Sequence, residues 1–178
     1  MSRNGNPYQP DHAGHVNHTM RAPAQPFTPS YEDDVHAWAL ANAALLRAQR
    51  FDEIDFENIA EELEGMARRE RQQLENRLIK LLAHLLKWTV QPNQRERSKN
   101  SWCATIREQR RRIHKLLKEN PSLTPTLIDV LTEAYQSAVD LAVRDTNLRR
   151  KAFPAECQFA LDLVIYGQFP SKCYEEDV

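Results

Sequence analysis

Glycine is scarce in this chain: four residues in 178, two of them before residue 30. Backbone cradles for phosphate are hard to build from so few, and no P-loop, Gly-rich dinucleotide turn or Gly-x-Ser-x-Gly elbow occurs. That argues against nucleotide-dependent enzymes. Cysteine is nearly as rare, with Cys103, Cys157 and Cys173 forming no CxxC pair. An odd count at such spacings reads as reduced thiols in a cytoplasmic protein. No uncharged run approaches the roughly 18 residues of a membrane span, and no secretory h-region is visible. An excess of either charge is missing too. The 24 Lys and Arg face 25 Asp and Glu, a net charge of −1, so bulk electrostatics give no case for nucleic-acid binding.

What is present is a soluble globular composition, 41% hydrophobic and 28% charged with a mean hydropathy of −0.68, in a length that suits one domain. The chain divides once. Residues 1–30 hold five of the ten prolines and only three charged side chains, too little apolar material to offset the entropy of ordering, and read as a disordered tail. His12, His15 and His18 are spaced by three within it. The surrounding prolines oppose the helix that would line them up for a metal, so no metal site is expected there.

Residues 31–178 read as an all-α bundle of four to five helices. Ser30 caps a first helix whose stripe is Val35, Trp38, Ala41 and Leu45. A second begins after Asp52 or Asp55 and runs to about Gln91, with a bend allowed at Gly65. Phe56, Leu63, Ala67, Leu74, Leu78, Leu81, Leu85 and Trp88 form one core-facing stripe along it. A third spans about Ser101 to Lys118, with Trp102, Ile106, Ile113, Leu116 and Leu117 inward. Pro125 opens a fourth after the Thr124 cap, carrying Leu127, Leu131, Ala134, Tyr135, Ala138, Leu141 and Ala142. A short fifth follows Pro154 with Phe159, Leu163 and Tyr166. No stretch alternates with period two, so no strand is expected.

Several long blocks of residues 31–176 resemble the DUF29 family. They are Tyr31-EDDVHA-Trp38, Phe51-DEIDFENIAEELE-Gly65, Arg77-LIKLLAHLLKWTVQ-Pro92, Ser101-WCATIREQRRRIHKLLKENPS-Leu123, Ala134-Tyr135 and Phe153-Pro154-AE-Cys157. The resemblance implies a bacterial, cytosolic, helical protein of unknown function and brings no catalytic or ligand residues. Two positions depart from it: Val90 stands where a Tyr is usual, and Gln158 where a Pro usually follows the Cys.

Three features are candidates for chemistry. The first is a charge asymmetry hidden by the neutral total. Residues 52–64 hold seven acids and no base, while residues 95–118 hold nine bases and two acids. Arg107, Arg111, His114 and Lys118 share a face of the third helix, and Arg110 and Arg112 flank its apolar stripe. With Arg95, Arg97 and Lys99 they form a basic surface for phosphates or an acidic partner. The plain alternatives are a solvated face, or docking onto the acidic start of the second helix. Trp102 sits on the apolar side, so base stacking is not indicated.

The second feature is a polar seam: Glu70, Arg77 and His84 recur every seven residues at the edge of the stripe, and Gln109 falls in the middle of the apolar stripe of the third helix. They form either a register-setting network or a ligand slot with His84 as acid, base or metal ligand. Metal chemistry has little support, because Glu61 and His84 stand about 35 Å apart on one helix and no Glu-x-x-His occurs. The third is Cys103, where a helix N-terminus can lower a thiol pKa, with Ser98 and Ser101 as caps.

The reading that follows is a non-enzymatic regulatory or interaction module. It uses Arg95, Arg97, Lys99, Arg107, Arg110, Arg111 and Lys118 to engage nucleic acid or an acidic protein, with no cofactor, metal or membrane involved. The alternative is an enzyme or ligand-binding bundle built on Glu70, Arg77, His84 and Gln109. The oligomeric state is left open.

Overall fold

Five α-helices and no strand are found among the described residues, 29–174, of a computed structural model. The histidine-bearing segment of the expected tail lies outside the described residues. The chain divides into two units, one ending at Asn58 and one beginning at Ile59.

In the first unit, α1 (Val35–Arg47) starts on Asp34, not on Ser30: the Asp34 carboxylate accepts the Ala37 N–H at 2.9 Å. Ser30 Oγ instead accepts from Asp33 N, closing the preceding turn. Two adjacent acids compete for the cap here, and the one nearer the apolar run takes it. Trp38 is buried, meets Tyr31 edge-on, and donates its indole N–H to Asp55 at 2.9 Å. Buried Asn42 is satisfied on both sides, donating to Trp38 O and accepting from Asp55 N. Asp55 also receives the Asn58 backbone and side-chain N–H groups and so caps α2 (Phe56–Val90). Those hydrogen bonds, led by the Asn58 side chain, hold its carboxyl below the usual range.

In the second unit, α2 is continuous through Gly65, and α3 (Arg95–Glu119) begins six residues earlier than the pattern predicts. Pro92 opens a 3-10 turn that leads straight into it, so Ser98 and Ser101 lie inside the helix and cap nothing. Pro125 likewise sits in a 3-10 turn, Pro121–Thr126, and α4 spans Leu127–Thr146. Asn147, left-handed at φ 55°, ends it. The last helix, α5, is only Leu161–Ile165. Its buried residues are Val164 and Ile165, while Leu163 and Tyr166 face out and Phe159 precedes it.

The core is built from Leu74, Leu78, Leu81, Leu82, Leu85 and Leu86 of α2, Ile106 and Ile113 of α3, Val130 and Val139 of α4, and Val164 and Ile165. The predicted stripes of α3 and α4 are inside. That of α2 is inside only from Leu74 onward, for Phe56, Leu63 and Ala67 are exposed. Length explains the difference. At 1.5 Å per residue α2 is about 52 Å long, α3 about 38 Å and α4 about 30 Å, so its neighbours cannot cover it throughout.

After α4 the chain returns across the bundle. Phe153 is buried, Tyr135 donates to Pro154 O at 2.9 Å, and the segment from Leu161 to Tyr174 lies along α3 as a strap. Gly167 belongs to this strap, and a Cβ there would stand 2.6 Å from Leu163 O, so only glycine fits the close approach.

Candidate functional site

The cysteines come first, because they decide which face of α3 is open. Cys103 on α3 and Cys173 in the strap are joined by a disulfide across 70 residues of sequence. Spacing in the chain says nothing of that approach, and the expectation of three reduced thiols is corrected. Cys103 is thereby no nucleophile, and the cysteine count loses its force as an argument for a reducing compartment. The remaining thiol, Cys157, is half-buried, and burial pushes its pKa up, which disfavours the reactive thiolate.

Arg107, Arg110 and His114 of the basic surface expected on α3 are committed to this strap. Arg110 is 5% exposed and cannot meet a partner. Its Nε donates to Val164 O at 2.8 Å, its Nη2 to Leu163 O at 2.8 Å and its Nη1 to the Tyr174 hydroxyl at 2.6 Å. A guanidinium supplies five N–H donors in a fixed fork, which suits two carbonyls left open at the end of a five-residue helix. Arg107 donates to Cys173 O, and His114 bonds Ile165 O while stacking on Tyr166. Arg95 folds back onto Trp88, donating to its carbonyl and lying over its ring. Arg97 and Lys118 are exposed, and Lys99 is half-buried. Three of the α3 bases, Arg107, Arg110 and His114, thus dock on carbonyls of the C-terminal strap, while Glu62 and Glu64 of α2 pair with Arg69 and Arg68.

The polar seam is not one network. Arg77 bonds Gln73, and Gln109 Oε1 is buried without a hydrogen bond. His84 turns to two residues that the seven-residue spacing misses, Lys87 and Asp145. Lys87, 6% exposed, donates to Asp145 at 2.8 Å and to His84 Nε2 at 3.2 Å. His84 Nδ1–H donates to Lys80 O, which leaves Nε2 as the acceptor and the ring neutral. Burial, with the Lys87 charge adding to it, holds its pKa below the ordinary value. A lysine in the middle of an otherwise leucine-rich turn was the available signal. Among the described residues, no three His, Cys, Asp or Glu side chains gather in a way that could hold a metal ion.

One surface draws together residues from both predicted sets. Between α2 and α3 lies a groove of about 300 Å³. Arg77 and Gln73 line it from one side, Arg111, Arg112, Lys115 and Glu119 from the other, over Leu116. Arg77 Nε is buried and has no hydrogen bond. Arg111 and Arg112 share Glu108, whose carboxyl their hydrogen bonds, Arg112 first, hold below its usual range. Both arginines are at least half exposed and Glu108 is partly so, and pairs of that kind contribute little and are easily exchanged. A second depression, with Arg69, Asn76 and Lys80, adjoins the first across Gln73 and Arg77. No aromatic ring lines either.

No helix among the described residues is long and apolar enough to cross a membrane. The family model described as "Domain of unknown function DUF29" matches residues 30–170, and the chain belongs to that family. Neither a curated protein nor a solved structure matches it.

Proposed function

We propose that this DUF29 protein is a non-enzymatic interaction module that captures an acidic segment of a protein partner in the α2–α3 groove. The observation that carries the reading is the convergence of Arg77 with Arg111, Arg112 and Lys115 on one groove that holds a single acid, Glu119. A carboxylate entering there meets guanidinium forks, which suit bidentate pairing. The adjoining depression extends the basic surface far enough for several successive acidic residues.

An acidic peptide fits better than nucleic acid for two reasons. Three of the bases that would have followed a phosphate backbone, Arg95, Arg107 and Arg110, are bonded to carbonyls of the chain itself. The groove also lacks the rings on which single-stranded bases stack. The interior reading has less support, since no hydrogen bond or ion pair joins Glu70, Arg77, His84 and Gln109 to one another.

The test is fluorescence anisotropy of a labelled Glu-rich peptide titrated with the full chain at several salt concentrations. A single-stranded oligonucleotide of equal charge serves as the comparison. Peptide affinity should exceed that for the oligonucleotide, decline with salt, and drop at least about tenfold in R77Q/R112Q, as loss of two charged contacts implies. Binding that survives the double variant would remove the groove from consideration. Tighter binding to the oligonucleotide would return the reading to nucleic acid.

A further inference from the structure

The strap brings an acidic sequence to the edge of the basic groove. Glu175, Glu176 and Asp177 follow Tyr174 directly and lie outside the described residues. Their root is fixed. Cys173 is bonded to Cys103, its carbonyl accepts from Arg107 at 2.9 Å, and the hydroxyl and ring of Tyr174 both engage Arg110. Whatever follows Tyr174 therefore starts against α3, beside the turn that carries Arg107 and Arg110.

The surface ahead of it is cationic. From Arg107 to Lys118, α3 carries six Lys or Arg and one acid, Glu108. Arg111 stands one turn beyond Arg107, and Lys115 one turn beyond Arg111. Both line the groove, and the side chain of each is 68% exposed. Distance permits the contact. Three extended residues span about 10 Å, and two helical turns span about 11 Å, so the acids reach both bases once side-chain length is added. We propose that Glu175, Glu176 and Asp177 dock on Arg111 and Lys115 as an autoinhibitory segment, which an acidic partner displaces on entering the α2–α3 groove. This rests on the reading of that groove as a site for acidic segments.

The fixed root makes the competition intramolecular. A segment tethered beside its site acts at an effective concentration on the order of millimolar, so individually weak ion pairs are enough to keep it seated. The pairs it displaces are Arg111 with Glu108 and Lys115 with Glu119. Each joins neighbours on one helix and contributes little, so the exchange meets small resistance.

Two measurements on the full chain test this. Carbodiimide coupling joins a carboxylate to a lysine amine only where the two touch. In dilute protein at low salt, peptide mapping of the monomer should find Glu175, Glu176 or Asp177 linked to Lys115 or Lys118, and the link should fade at high salt. Its absence overturns the proposal. The second is the anisotropy titration with the Glu-rich peptide, run on the wild type and on E175Q/E176Q/D177N. The variant should bind at least about fivefold more tightly, because the tethered competitor is gone. Equal or weaker binding by the variant overturns the proposal and leaves the groove as the peptide site. If neither protein binds the peptide, the groove reading fails, and the coupling result alone decides whether the segment docks.

Discussion

The two sides of α3 hold the same kind of residue in opposite roles. On the strap side, Arg110, Arg107 and His114 spend their donors on carbonyls of residues 163–173, with the Cys103–Cys173 disulfide beside them. On the groove side, Arg111, Arg112 and Lys115 are at least half exposed and bonded only to glutamates of their own helix. The lesson is that a run of arginines is not one feature. Its members divide according to which carbonyls the fold leaves open, and only those with replaceable partners are free to bind.

This comparison can be broken most forcefully at the disulfide. Closing a loop of 70 residues is worth about 4 kcal/mol by the chain-entropy relation, so reduction, or C103S/C173S, should lower the melting temperature more than any other change considered. If calorimetry shows no difference with and without reductant, the strap is held by its hydrogen bonds alone.

The next largest effect is expected at Arg110. R110M removes three hydrogen bonds and leaves Leu163 O and Val164 O unsatisfied, a loss of about 3 kcal/mol. Denaturant unfolding measures it. A loss below about 1 kcal/mol would place Arg110 with the groove residues, since surface substitutions usually stay within about half a kcal/mol.

The buried cation on α2 sharpens the contrast through pH. His84 has a folded pKa below its ordinary value, so the folded state favours the neutral ring beside Lys87. That contribution is fully present above the unfolded pKa of about 6.5 and is lost as pH falls through the folded value. Melting temperature followed from about pH 8 to pH 5 should therefore decline less in H84Q than in the wild type. Parallel curves for the two proteins would show that protonation of His84 is not resisted.

The smallest effect belongs to the groove. R111Q and R112Q should each change stability by no more than about half a kcal/mol, because exposed ion pairs on one helix contribute little. Their consequence should appear in peptide binding instead. A destabilisation comparable to that of R110M would mean that the two sides of α3 do not differ.

How much of this was legible in the chain can be read from particular residues. The absence of period-two alternation and the stripes of α3 and α4 were enough for the helical fold, since burial of one face is what holds such helices in place. The stripe of α2 was legible as a stripe, but its exposure before Leu74 was not, for that depends on how far α3 and α4 reach. Of the candidate site, Arg77 and Arg111 were named on separate grounds and meet at one groove. Arg110 was misjudged because its angle on the helix does not reveal that the strap returns across it. Lys87 and Asp145 were missed, being 58 residues apart and joined only by packing.

Local chemistry alone therefore determined that this protein is helical, where its apolar stripes run, and that acids and bases are segregated along it. These follow from spacing and propensity within a few turns. The tertiary structure alone decided that Cys103 meets Cys173, that Arg110 serves the strap while Arg112 lines a groove, and that half of α2 is left uncovered. Each of these depends on which distant segment comes to lie against a helix face, and a face is the same in sequence whether it meets water, a carbonyl or a partner.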